Sequence, residues 1–168
     1  MASVGGCKDK EPTCTKCENG TDTVYIDNNQ HDSIMNLLCH RWKLEAFVND
    51  RNGTYREPEY GHWANANFAY TLKIISFRDN ADSVYKYDGY GCPFSFGGIL
   101  AIETETSTIM FYKTSNIWTA FQEGDGDLYF ETIDKVVSFE VTADSLRLFP
   151  YSYPYSYDCL LFKKFQEQ

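Results

Sequence analysis

The sequence predicts an all-β fold: an antiparallel sheet of about eight short strands closed into a barrel, with one or two short helices. Three observations carry that reading. The 168 residues include 13 Tyr, 12 Phe and 3 Trp, and aromatic side chains fit a pleated sheet better than a helix. Apolar and polar residues alternate in short runs; through Phe68, Tyr70, Leu72 and Ile74 every second side chain falls on one face. Between the runs stand Gly, Asn and Asp, the residues that tight turns need. A chain of this length can also bury a core without cross-links.

From the N-terminus, residues 1–31 are polar with little apolar periodicity and read as a disordered tether ahead of one domain over 32–168. Ile34, Leu37 and Leu38 fall at helical spacing behind Asp32 and Ser33, either of which can cap a short helix. Trp42, Leu44 and Ala46 alternate through a first strand. Residues 49–67 form a long connection with a turn at Asn52-Gly53. A second strand covers 68–77, the chain turns at 78–81, and 83–87 return. Another turn is expected at 88–91. Residues 94–96 and 99–102 are two halves of a strand with a bulge or bend at Gly97-Gly98, and 108–113 pair back on it. Asp127 is placed to cap a short helix over 128–135, with Tyr129 and Ile133 on one face. Residues 136–141 and 146–149 make a hairpin, and 159–165 supply the last strand.

Charge and motif content exclude several function classes. The net charge is −9 and the isoelectric point is near 4.7, the wrong sign for a phosphate backbone, so no nucleic-acid partner is expected. No apolar run approaches the roughly 18–20 residues of a membrane helix. The three histidines, His31, His40 and His62, have no nucleophile elbow, HExxH or phosphate-binding glycine loop beside them. Neither catalysis nor a cofactor is therefore expected.

The most unusual segment is Tyr151-Ser152-Tyr153-Pro154-Tyr155-Ser156-Tyr157. In an extended chain its period of two puts Tyr151, Tyr153, Tyr155 and Tyr157 on one side. Such a row can stack on sugar faces or dock a protein; the same rings could instead close one end of the barrel. The acidic stretch Glu123-Gly124-Asp125-Gly126-Asp127, with Glu131 beyond, lacks the ligand spacing of a calcium loop. It reads as a solvated turn leading into a helix, and no metal is expected. Cys14-Thr15-Lys16-Cys17 has metal or redox spacing but no second pair. With Cys7, Cys39, Cys92 and Cys159 the chain has 6 cysteines, whose positions fix no pairing.

Short patterns across residues 37–165 resemble a known group. Trp42-Lys43-Leu44, Phe77 to Asn80, Val137-Ser138-Phe139 with Val141, the Leu146 and Leu148 pair and Cys159-Leu160-Leu161-Phe162-Lys163 resemble the lipocalin-like and META-type domains of exported bacterial lipoproteins. Val4-Gly5-Gly6-Cys7 resembles a lipobox, in which the cysteine becomes the lipid-bearing N-terminus. The resemblance implies a lipocalin-like barrel in the bacterial cell envelope, held to the outer membrane by lipid on Cys7 alone. The function expected is binding instead of catalysis, of an apolar molecule, a glycan or a protein, at the barrel mouth or the tyrosine loop. The alternative is an envelope structural, interaction or inhibitor-like module with no small ligand, and a third reading is an enzyme with an unrecognised site. A large apolar cavity would mark the first reading and a barrel filled by its own aromatic rings the second.

Overall fold

A computed structural model describes residues 28–60, 69–79, 82–91, 94–117, 124–151 and 157–165. The elements run α1 (Asn28–Leu38), β1 (Arg41–Asn49), β2 (Thr54–Arg56), β3 (Thr71–Asp79), β4 (Asp82–Gly91), β5 (Phe94–Glu103), β6 (Thr108–Ile117), α2 (Gly126–Ile133), β7 (Val136–Val141), β8 (Ser145–Pro150) and β9 (Cys159–Lys164). The strands form one antiparallel sheet in the order β2-β1-β3-β4-β5-β6-β7-β8-β9, and β1 also pairs with β9, which closes the ring. The protein is thus an all-β, barrel-like fold with two short helices.

Two joints in this ring are unusual. The upper part of β1 pairs with β2 through Phe47, Val48 and Asn49, and its lower part with β3 through Arg41, Trp42 and Lys43. The short β2 is therefore a flap over the upper rim. The second joint is between β6 and β7, whose register holds only Thr108 opposite Ser138, supported by Phe139 N–H donating to the Ser107 carbonyl at 3.0 Å. Above that point β7 has barely begun, and α2 stands where a strand would be. Its Tyr129 and Phe130 are buried among barrel rings.

The interior is filled by aromatic side chains. Tyr70 lies 5.0 Å from Tyr60 and 5.3 Å from Tyr129, Phe96 lies 5.6 Å from Tyr129 and 5.3 Å from Phe130, and Tyr87 lies 4.9 Å from Phe111. Trp42, Leu44, Leu72, Ile74, Ile109, Leu146, Leu148, Leu160 and Phe162 complete the core. At the lower end α1 buries Met35 and Leu38, and the Trp42 indole donates to the Leu38 carbonyl at 3.0 Å, satisfying one acceptor that the helix end leaves open.

Most expected strands are present, with differences that have physical reasons. Nine strands form instead of about eight, because the connection over 49–67 contains β2; its Thr54 and Tyr55 are both exposed, so no alternation announces it. Residues 88–91 are not a turn but the end of β4. There Gly89 lies under the Phe96 ring, where a Cβ would overlap it. The first helix starts at Asn28, ahead of the expected domain start at 32, while residues 1–27 lie outside the described residues. The second helix starts at Gly126 behind Asp125, which makes no side-chain capping bond, and Asp127 sits in its first turn.

The expected irregularity at Gly97-Gly98 is present as a register shift: Gly97 pairs with Ser115 and Gly98 with Lys113, leaving Thr114 as the extra residue. A Cβ on Gly98 would overlap the Tyr112 carbonyl oxygen of the neighbouring strand, so no other residue fits without moving backbone. Replacing Gly98 by Ala is expected to cost about 3 kcal/mol, read as a lower urea midpoint with unchanged slope.

Candidate functional site

The upper rim is organised by one arginine. Arg56 at the end of β2 sends Nη1 and Nη2 to the two Asp125 carboxylate oxygens at 2.7 and 2.9 Å, and its Nε donates to the Tyr157 hydroxyl at 2.6 Å. The guanidinium also lies 4.9 Å from the Phe47 ring centre and 5.2 Å from that of Tyr157. Asp125 accepts in addition from the Glu59 N–H at 2.7 Å, while its own N–H donates to the Glu59 carbonyl at 2.8 Å. Bidentate pairing of this kind is among the strongest charge-assisted contacts. It raises the Arg56 pKa further, Asp125 being the largest cause. The clamp joins the flap, the loop before α2 and the segment before β9. Below it, burial followed by the charges of Glu45, Glu57 and Asp125 pushes the Tyr60 hydroxyl up to about 12.

The clamp uses one of the two described loop tyrosines. Tyr157 is half-buried, its hydroxyl accepting from Arg56 and its ring 5.3 Å from Phe47. Tyr151 is exposed, anchored by its N–H donating to the Lys135 carbonyl at 2.8 Å. Tyr153 and Tyr155 lie outside the described residues, as do Cys7, Cys14, Cys17, Cys92, His62 and Glu123. The described cysteines, Cys39 and Cys159, are free thiols whose pKa values burial raises. His31 bonds Thr104 and Tyr85 at the lower end, and His40 sits beside Lys164 at 3.0 Å. Burial and that lysine lower the His40 pKa. The two described histidines thus have different partners, and among the described residues no three His, Cys, Asp or Glu side chains converge as metal ligands.

The outer wall of β3 to β6 is the other feature, and sequence reading did not single it out. Ile75 pairs with Lys86, Lys86 with Ile99, and Ile99 with Tyr112, so these four side chains form a row across four strands. A cleft of about 340 Å³ opens beside the row, lined by Ile75, Lys86, Asp88, Ile99, Thr114 and Ser115 over the bare backbone of Gly98. Met110, Tyr112 and Ile117 on β6 continue the exposed apolar surface, as does Tyr90 on β4. The signal for it was the alternation itself: in β5 and β6 both alternate sets are apolar, which a single buried face does not require. Comparison of the chain with protein-family models and with curated proteins finds no match.

These two features differ in what they can do. All three nitrogens of the Arg56 guanidinium bond within the chain, with the Asp125 side chain 14% exposed and that of Arg56 30% exposed, so the clamp holds the rim together. The outer wall has apolar side chains and a cleft open to solvent. Replacing Arg56 by Ala is expected to cost about 2–3 kcal/mol, since it leaves a largely buried carboxylate with fewer partners. Urea unfolding of the variant alongside Asp125→Asn and the double variant measures it; the pair should be strongly non-additive.

Proposed function

We propose that the protein is an exported, lipid-anchored, lipocalin-like module of the bacterial cell envelope that binds a protein partner on its outer surface and encloses no small ligand. The filled interior supports this most directly. The volume in which such a barrel would hold an apolar molecule is occupied by Tyr70, Tyr87, Phe94, Phe96, Tyr129, Phe130 and Phe162, while the exposed Tyr90, Ile99, Met110, Tyr112 and Ile117 lie on the outer wall. Interfaces commonly centre on aromatic and large apolar residues of this kind.

The anchoring part of the proposal rests on Val4-Gly5-Gly6-Cys7 and on the resemblance of residues 37–165 to lipoprotein domains. No described helix is long and apolar enough to cross a membrane, and lipid on Cys7 would hold the chain at a bilayer without one. The barrel would then present its α1 end toward the tether, since α1 leads directly into the lower end of β1.

Titration with the fluorescent apolar probes 1-anilinonaphthalene-8-sulfonate and cis-parinaric acid tests the enclosed-ligand question. No saturable emission is expected from the folded protein, and saturable one-to-one binding would overturn the reading. Mass analysis of the protein expressed with its complete leader in a bacterial host tests the anchor. The expected product begins at Cys7 and carries acyl groups, whereas an unacylated chain retaining residues 1–6 sinks the lipid claim.

A further inference from the structure

We propose that the free edge of β6 is the docking site for an extended, basic peptide segment of a partner protein, which adds to the sheet as one more strand. The inference deepens the partner-binding reading above and rests on it.

Backbone hydrogen bonding carries the first part. β6 pairs with β5 along its whole length, from Glu103 opposite Thr108 to Ser95 opposite Ile117, but among the described residues its other edge is paired only at Thr108, with β7. Phe139 N–H donates to the Ser107 carbonyl, which sets the phase of the other edge. In an antiparallel ladder alternate residues point their N–H and C=O groups to the same side. Phe111 and Lys113 therefore direct theirs away from β5, toward the place where β7 is missing. Among the described residues no strand takes that place; α2 meets β6 there through the Lys113 side chain, which reaches Phe130 and Asp134, and offers no ladder. Residues 114–117 are exposed at every position, as expected of a strand with an open flank.

Strand edges of this kind are usually protected by proline or by outward charges. The β6 sequence Thr-Ile-Met-Phe-Tyr-Lys-Thr-Ser-Asn-Ile has no proline and one charge. That charge, Lys113, is turned toward α2, with its Nζ 3.4 Å from the Phe130 ring centre and 2.5 Å from Asp134. The edge is thus left without the usual guard, beside the exposed Met110 and Tyr112 side chains. Main-chain pairing supplies the affinity in such additions, and the flanking side chains supply the preference.

Electrostatics choose the occupant. Asp127, Glu131 and Asp134 recur at helical spacing along α2, and all are exposed. Asp134 pairs with Lys113 of β6, which places this end of the acidic row beside the edge. Burial and then the charge of Glu131 raise the Asp127 carboxyl, so these two acids repel each other. An incoming strand with Lys or Arg on one face would relieve that repulsion while pairing with β6. A second copy would bring another row of acids and another net charge of −9. The chain's own segment ahead of α1, residues 1–27, carries five acids against three lysines, and the part next to α1 holds Asp22 and Asp27 with no Lys or Arg after Lys16. Both are the wrong sign.

The test uses the whole chain and a capped heptapeptide of alternating lysine and valine, with amide hydrogen exchange as the readout. Exchange across residues 109–117 is expected to slow at least about tenfold on saturation. The same peptide with N-methylated amides should lose both binding and protection. Glu131→Lys combined with Asp127→Asn, exposed positions outside the core, should weaken binding by about tenfold or more. An alternating glutamate-valine peptide should not bind. Binding without slowed β6 amides means attraction to the acids alone and overturns the proposal, as does no binding at millimolar peptide. Protection in the free protein also overturns it: loss on dilution points to a second copy, and loss on deleting residues 1–27 points to the chain's own segment. The apolar-probe titration keeps the two readings separable. An unprotected edge with no probe bound defeats only this inference, whereas saturable probe binding defeats the reading beneath it.

Discussion

The Tyr129 ring holds the barrel's two kinds of structure together. It projects from α2 into the interior and meets Tyr70 of the segment entering β3, Phe94 and Phe96 of β5 and Phe162 of β9. Its hydroxyl donates to the Thr71 carbonyl at 3.0 Å, so a fully buried polar group is satisfied. Burial keeps that phenol protonated well above its usual range, because a phenolate there would have neither water nor a cation. The consequence reaches the wall. With α2 fixed by this ring, β7 begins as low as Val136, and above the point where β6 and β7 part the interior is filled by Tyr129 and Phe130. A closed sheet normally seals itself by hydrogen bonds; here part of the seal is aromatic packing.

Much of the fold was legible because burial on one face leaves a period of two. β1 reads Trp42, Leu44 and Ala46 as buried, and β8 reads Leu146 and Leu148. The pattern failed where its premise failed. β2 has no buried face and was invisible as a strand. The glycines at the end of β4 resemble turn residues, yet they are in a strand because aromatic rings from the core need the space. Glycine marks close approach as well as reversal, and sequence alone does not separate the two.

The rim was less legible than the sheet. Arg56 meets partners 69 and 101 residues further along the chain, a coincidence that no local pattern encodes. The same contacts explain why Asp125 lacks a capping role at α2: its oxygens are already accepting from Arg56 and Glu59. Tyr157 likewise belongs to the rim through its bond to Arg56, one of the two roles that the tyrosine-rich run allowed. Composition was informative about the surface in one respect. The acids that give the chain its charge include the row on α2, while β6 beside it has none.

The pairing of β1 with β9 sets an order on how the molecule can be made. Trp42 and Leu44 lie opposite Lys164 and Phe162, and Phe165 N–H donates to the Arg41 carbonyl at 2.8 Å. The first strand therefore lacks its β9 neighbour on that side until residues 159–164 have left the ribosome. The flap and β3 can occupy its other edge early, but the ring itself closes only once β9 has been made. Contacts between such distant segments make folding slow. Until closure, one flank of β1 is an open strand edge, the very feature that invites aggregation in nascent chains.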